Sequence, residues 1–186
     1  MMRSMENEPP PRASNATHDR GSGRRRRILA SGCINGPAIR YNQTNVEVLS
    51  PIWDRWVAED LVVQFCAELA AGFPTPRPPA EFGGDARQVF DGTSLVREDT
   101  GRDVTNQFID GAQRTMEYAV DQGCVAAVLT DGSPSCGSTY VYDGSFSGTT
   151  HPGMGVVAQL LTDNGIKVFP ETQLEAADAY LRNKTR

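Results

Sequence analysis

The sequence predicts an α/β fold: a Rossmann-like three-layer arrangement with a mostly parallel sheet and small hairpin insertions. Runs of four or five apolar residues, typical of buried strands, alternate along the chain with longer segments of helical periodicity. Strands that alternate with helices form parallel sheets covered by helices on both faces. The length of 186 residues suits a single domain of this class.

The first part of the chain supplies two strands and a helix. Apolar residues 28–30 predict the first strand, and residues 61–65 predict a second, buried strand. Between them an apolar stripe predicts a helix with Pro51 in its first turn. The stripe consists of Leu49, Ile52, Trp53, Trp56 and Val57. The prolines within residues 73–81 exclude helix and central strand, so this segment is predicted to be an extended loop.

The second part continues the alternation. Residues 88–96 predict a small hairpin around an Asp-Gly-Thr turn. Asp103 is expected to cap a helix that ends at Gly123. The remaining predicted elements are a buried strand at 125–129, a hairpin at 139–146, a helix at 154–164, a strand at 166–169 and a helix at 174–181.

The composition excludes a protein that spans a membrane. No segment approaches the ~18 consecutive apolar residues that a membrane helix needs. Residues 1–27 also lack the apolar core of a secretory signal, so we expect a cytoplasmic protein with no membrane partner. In the cytoplasm, four cysteines indicate thiols, metal ligands or catalytic groups before they indicate disulfides.

The charge is distributed unevenly along the chain. Residues 1–27 contain seven arginines and three acidic residues, whereas the whole chain has a net charge of −5. We expect residues 1–26 to form a disordered Arg-rich tail and residues 27–186 to form the single domain. Such a tail can make a weak contact with nucleic acid, while the acidic remainder argues against a broad phosphate-binding surface.

Three of the four cysteines follow predicted strands. Cys33, Cys66 and Cys136 come after the first, second and third strands, whereas Cys124 precedes its strand. Because ligands bind at the carboxyl ends of parallel strands, we expect three thiols to meet at one sheet edge. They could hold zinc with an open position or an iron–sulfur cluster, include one nucleophile, or be ordinary buried cysteines. The spacing does not choose among these.

Polar residues of the same loops are candidates for chemistry or binding. Glu68 is two residues after Cys66, and Ser133 is three residues before Cys136. Ser135 and Arg77, an arginine fixed between prolines, are candidate substrate-binding residues. No serine triad, P-loop or glycine-rich dinucleotide motif is present in the sequence.

Taken together, these motifs resemble the thiouracil desulfidase family, small bacterial proteins long catalogued as a domain of unknown function. The resemblance extends from about residue 28 to residue 171, with the motifs in the family's order. The motifs are Ser31-Gly32-Cys33-Ile34-Asn35-Gly36 with Arg40-Tyr41, Cys66-Ala67-Glu68, Phe73-Pro74-Thr75-Pro76-Arg77-Pro78-Pro79-Ala80-Glu81, Gly101-Arg102-Asp103-Val104-Thr105, Ser133-Pro134-Ser135-Cys136-Gly137 and Tyr142-Asp143-Gly144-Ser145-Phe146-Ser147-Gly148.

The resemblance implies a [4Fe-4S] cluster held by three cysteines, with one iron open to the sulfur of a thiolated pyrimidine. Motif by motif, the ligands fall on Cys33, Cys66 and Cys136, and the catalytic residues fall on Glu68 and Ser133. The implied reaction is non-redox. Water replaces the C=S sulfur of a small thiolated base or nucleoside by oxygen, and hydrosulfide is released.

The chain departs from the family pattern at three places. Ala67 stands where the second motif usually has proline, Thr130-Asp131-Gly132 where a basic residue is common, and Asn35 where leucine is usual.

Two other functions remain open from the sequence. One is an iron–sulfur binding or sulfur-carrier module that acts on thiolated tRNA. The other is a zinc-dependent hydrolase of a modified base.

Overall fold

The structure, a computed structural model, describes residues 26–184, in which eight strands and six helices occur. Apart from Arg26, the expected tail at 1–26 lies outside these residues. In chain order the elements are β1 (Arg27–Ser31), α1 (Pro51–Ala58), β2 (Val62–Phe65), α2 (Ala67–Ala70), β3 (Ala80–Glu81), α3 (Ala86–Phe90), β4 (Arg97–Glu98), α4 (Thr105–Asp121), β5 (Cys124–Leu129), β6 (Tyr140–Tyr142), β7 (Thr150–Pro152), α5 (Val156–Asp163), β8 (Lys167–Pro170) and α6 (Leu174–Lys184).

Four strands form a parallel sheet in the order β2-β1-β5-β8. Strand β1 lies between β2 and β5, with Leu29 paired to both Val63 and Ala127. Strand β8 extends the sheet beyond β5, with Val168 opposite Ala127. All four carboxyl ends therefore point to the same edge. The short pairs β3-β4 and β6-β7 are antiparallel and lie outside this sheet.

Helices cover both faces of the sheet, which confirms the predicted three-layer α/β class. On one face, alternate sheet residues such as Ile28 and Val128 pack with α1 and α6, including the fully buried Trp56. On the other face, Leu29 and Ala127 pack with the apolar sides of α4 and α5. The alternation of sheet residues between two cores is the two-residue period expected of strands. Within residues 26–184, no helix combines the length and apolarity needed to cross a membrane.

The hairpin predicted at 88–96 is wrong. Helix α3 covers the first of these residues, and β4 pairs with β3 instead. The helix begins with a capping box, in which the Asp85 side chain accepts from Arg87 N at 2.8 Å. In return, Gln88 Oε1 accepts from Asp85 N at 2.9 Å. These reciprocal bonds satisfy N–H groups at the helix start and favour helix over strand.

Three other expectations hold only in part. Helix α1 begins after the Ser50 cap as the Pro51 position predicts, but Leu49 and Val57 of the stripe are exposed. Strand β2 is half-buried rather than buried because it lies at the edge of the sheet. The later hairpin turns near residue 143 as predicted, but its second strand is β7, several residues further along.

Candidate active site

Three of the four cysteines lie at one end of the parallel sheet. Cys33 follows β1, Cys66 directly follows β2, and Cys136 lies in the loop after β5. All three line one cavity of about 360 Å³. Cys124 is the first residue of β5 and therefore lies at the opposite end of the sheet. The structure thus brings together the three cysteines that the sequence groups and separates the fourth from them.

The environment of the three thiols favours their protonated form. Burial raises the pKa of Cys33 and of Cys66, and it holds the pKa of Cys136 well above its usual range. The Thr130 hydroxyl, 3.2 Å from Cys33 Sγ, partly opposes this effect at Cys33. Metals bind the thiolate, so these groups deprotonate when a bound cation stabilises them.

The donor set fits an iron–sulfur cluster. Thiolates are the usual ligands of such clusters, and three thiols face one cavity here. Across residues 26–184, no three His, Cys, Asp or Glu side chains are grouped so as to hold a single metal ion. The fit therefore rests on the type of donor and on the shared cavity.

Glu68 lies in the wall of the same cavity, on the short helix α2. Its side chain is 16% exposed, and both carboxylate oxygens accept hydrogen bonds. Oε1 accepts from the Ser135 hydroxyl at 2.9 Å, and Oε2 accepts from Arg77 Nε at 2.5 Å. Cys66, a candidate cluster ligand, is the N-cap of α2, and Glu68 follows it two residues later in the first turn of that helix.

Ser133 lines the cavity at the start of the loop that carries Cys136. Its Oγ accepts hydrogen bonds from Ser135 N at 3.2 Å and Cys136 N at 3.1 Å. A serine hydroxyl has two acceptor lone pairs and one hydrogen. The two backbone donors use the lone pairs, so the O–H hydrogen is the group that Ser133 can offer to the cavity.

The start of α5 fixes this loop from behind. Val156 N donates to Pro134 O at 3.0 Å, and Val157 N donates to Ser135 O at 2.9 Å. The first N–H groups of a helix have no partner within the helix, so the loop carbonyls satisfy them. Gly155 allows this close approach, because a Cβ there would lie 2.5 Å from Ser135 O.

Three tyrosines, Tyr41, Tyr140 and Tyr142, line the cavity where it meets solvent, each about 40% exposed. Sequence reasoning missed Tyr140 and Tyr142 as site residues, although their alternate positions in a short strand place both on one face. The ring of Tyr140 lies against Gly132, where an added Cβ would be 3.0 Å from the ring. An aromatic ring therefore borders the residue next to Ser133.

Asp131 stabilises the loop that follows it. It belongs to the segment 130–132, where a basic residue is common in the family pattern. Its Oδ1 accepts from Ser138 N at 2.7 Å and from Thr139 N at 2.9 Å. Its own N–H donates to Glu171 Oε2 at 2.9 Å. The departure at 130–132 thus places a carboxylate on the cavity wall. Its Oδ1 accepts from backbone N–H groups, and its Oδ2 accepts from the Thr139 hydroxyl.

Comparison with known proteins gives consistent matches over most of the chain. A family model described as 2-thiouracil desulfurase matches residues 28–173. The protein YbbK of Bacillus subtilis (strain 168), described as uncharacterized, is 40% identical over 148 residues, which are 79% of this chain and 97% of YbbK. A solved structure described as the [4Fe-4S]-dependent thiouracil desulfidase TudS superposes with a TM-score of 0.77 at 38% identity. It covers 84% of this chain and 98% of its own.

Proposed function

The chain belongs to the 2-thiouracil desulfurase family and is an enzyme that cleaves a carbon–sulfur bond; we propose that it does so with a [4Fe-4S] cluster held by Cys33, Cys66 and Cys136. The substrate in this proposal is a small thiolated pyrimidine, a free base or a nucleoside. The overall reaction adds water to C=S, forms C=O and releases hydrosulfide with a proton, so no external electron donor or acceptor is needed.

The observation that carries the proposal is the shared cavity. Thiols from the segments that follow three separate strands line it together with Glu68 and Ser133. A solved relative of 38% identity is described as [4Fe-4S]-dependent, which supports the same cofactor for this donor set. When bound, the cluster supplies a Lewis-acidic iron for the thiocarbonyl sulfur.

Glu68 is proposed as the general base. Its carboxylate lies at the cavity wall, where it can take a proton from a water molecule as that water attacks the ring carbon. Its two oxygens are held by neutral and cationic donors, so the carboxylate is oriented before the substrate arrives. A positioned general base typically contributes about 10²–10⁴ in rate.

Ser133 is proposed to orient the attacking water. The Ser133 oxygen is occupied by two backbone N–H groups, which leaves the hydroxyl hydrogen to donate into the cavity. A donor at this place can hold the water oxygen while Glu68 accepts the water proton. In this proposal Ser133 and Glu68 together orient the attacking water, Ser133 through its oxygen and Glu68 through one of its hydrogens.

One experiment tests the cofactor and the reaction together. The protein is purified without oxygen, its iron and sulfide are counted, and hydrosulfide release from 2-thiouracil is measured. We expect a brown protein with about four irons per chain, as a [4Fe-4S] cluster requires, and stoichiometric formation of uracil and hydrosulfide. A colourless zinc protein would overturn the cofactor. A brown protein that takes up sulfur from thiolated tRNA but does not turn over thiouracil would support the carrier function instead.

A further inference from the structure

We propose that Arg77 and Ser135 are positioning residues, which hold the Glu68 carboxylate in one orientation in the cavity wall. This inference rests on the proposed function, because it acts through the base that the proposed reaction uses. From sequence alone, both residues are candidates for binding the substrate. Their contacts assign them to Glu68.

The Arg77 guanidinium is fixed by the protein on every nitrogen. Nε donates to Glu68 Oε2 at 2.5 Å, and Nη2 contacts the same oxygen. Nη1 donates to the carbonyl oxygens of Ile39 and Pro74, each at 3.1 Å. The side chain is 6% exposed, so little of the guanidinium is open to a ligand.

The backbone of Arg77 is also bound to the segment that follows β1. Arg77 N donates to Tyr41 O at 3.0 Å, which joins the proline-rich loop to the segment after β1. The same segment supplies the Ile39 carbonyl that holds Nη1. Both the backbone and the guanidinium of Arg77 are therefore bound to the segment after β1.

Ser135 holds the other carboxylate oxygen. Its Oγ donates to Glu68 Oε1 at 2.9 Å, and the residue is 2% exposed. The Ser135 carbonyl accepts from Val157 N of α5, so a helix fixes the position of this donor. The proline-rich loop therefore holds Glu68 Oε2 through Arg77, and the Ser-Pro-Ser-Cys loop holds Oε1 through Ser135.

Both contacts limit the rotation of a carboxylate that would otherwise turn about its own side-chain bonds. A carboxylate has about four lone-pair sites, so the donors leave room for one water. Two guanidinium nitrogens, Nε and Nη2, contact the single oxygen Oε2, an arrangement that a lysine ammonium cannot reproduce. A reacting group displaced by about 1 Å can lose about 10²-fold in rate.

The test compares loaded enzyme carrying Arg77→Gln, Arg77→Lys or Ser135→Ala with wild type. The matched control is Arg114→Gln, which breaks an ion pair with Asp110 on the surface of α4. Iron content, melting temperature, kcat and KM for 2-thiouracil are measured for each. We expect Arg77→Gln to keep its iron, to lower kcat by about 10²-fold and to change KM little, because the base is misplaced while the substrate still binds. Arg77→Lys should recover part of that loss, and Arg114→Gln should behave as wild type.

A double-mutant cycle shows whether Arg77 acts through Glu68. If it does, adding Arg77→Gln to Glu68→Gln lowers kcat no further. The same cycle on melting temperature detects the contact between the two side chains without relying on turnover. Coupling in the melting temperatures is expected even if the wild type proves inactive on thiouracil, a result that would count against the proposed function alone.

Three results would overturn the inference. A raised KM with an unchanged kcat in Arg77→Gln would show that Arg77 binds the substrate. Iron loss in proportion to activity would show a structural role for the contact. Independent effects of Arg77→Gln and Glu68→Gln in both cycles would show that the two side chains do not act together.

Discussion

Cys33, Cys66 and Cys136 share a cavity, whereas Cys124 starts β5 at the far end of the sheet. Replacing any of the first three by Ala should remove most of the iron, since each thiolate is proposed as a direct ligand. Cys124→Ala should keep the iron and cost about 1 kcal/mol in unfolding free energy, as expected for a small buried group. Iron analysis and denaturant melts check both statements. A Cys124→Ala protein without iron would contradict the ligand assignment.

Cys124 also has a predictable reactivity. Burial raises the pKa of its thiol to about 11, with Arg27 opposing the shift weakly. Because the thiolate is the reactive form, alkylation of Cys124 should be slow at neutral pH and should rise steeply as the pH approaches about 11. Peptide mapping after iodoacetamide treatment measures this, with N-acetylcysteine as the control. Labelling at neutral pH as fast as that of the control would show that the thiol is not buried as described.

Glu68 and Ser133 should affect turnover more than assembly. Glu68→Gln keeps the shape of the side chain but removes the base, so hydrosulfide release should fall by about 10²-fold or more. Ser133→Ala loses one hydroxyl, and a neutral hydrogen bond of about 0.5–1.5 kcal/mol predicts a smaller loss. Both proteins should stay brown. The exposed Glu117→Gln on α4 serves as control, and a Glu68→Gln enzyme with the wild-type rate would reject the mechanism.

The order of strands along the sequence predicts some of the site residues and not others. The grouping of Cys33, Cys66 and Cys136 follows from strand order, because parallel strands bring their carboxyl ends to one edge. The contacts of Glu68 with Arg77 and Ser135 could not be foreseen in the same way. They join residues 9 and 67 positions apart, and they depend on how two irregular loops fold over the sheet.

At the scale of elements, the N-terminus of α5 determines the shape of the Ser-Pro-Ser-Cys loop. Gly155→Ala places a Cβ 2.5 Å from Ser135 O and 2.7 Å from Pro134 O, so the loop must move away. We expect lower stability and a lower iron content, because Cys136 and Ser133 belong to that loop. Thr162→Ala, at an exposed position near the other end of α5, should change neither. Measuring the melting temperature and the iron content of both variants tests this expectation. A Gly155→Ala protein as stable and as iron-rich as wild type would contradict it, because the loop would then tolerate the added Cβ.

The elements of the parallel sheet could be predicted because their apolar runs are nearly continuous, as in β5. The short elements could not. At 88–96 a turn sequence between apolar residues indicated a hairpin, but the cap at Asp85 lies just before that window and makes helix the better local choice. Strand β3 pairs with β4, whose residues lie 16 or 18 positions further along the chain in the two pairs, and alternation within either segment does not reveal this partner.

At the scale of the whole molecule, the seven arginines before Ile28 contrast with an acidic remainder. Arg27 belongs to the fold, since it starts β1 and its guanidinium donates to Asp60 at 2.8 Å and to Gln122 at 2.7 Å. The folded domain should therefore tolerate removal of residues up to 25 but not of β1. The cavity and all the residues proposed to act in it lie beyond this boundary.

Removal of residues 1–25 should separate nucleic-acid binding from catalysis. We expect the shortened protein to keep its iron content, its melting temperature and its rate on free 2-thiouracil, because every residue proposed to act in the cavity lies among the later residues. We also expect the full chain to bind tRNA weakly through its arginines. This binding should weaken further with salt, since arginine–phosphate contacts release counterions, and it should disappear in the shortened protein. Titrations at two salt concentrations, alongside the thiouracil assay, measure both effects. If the shortened protein binds tRNA as well as the full chain does, the acidic domain itself must hold the nucleic acid, and the tail is not the contact.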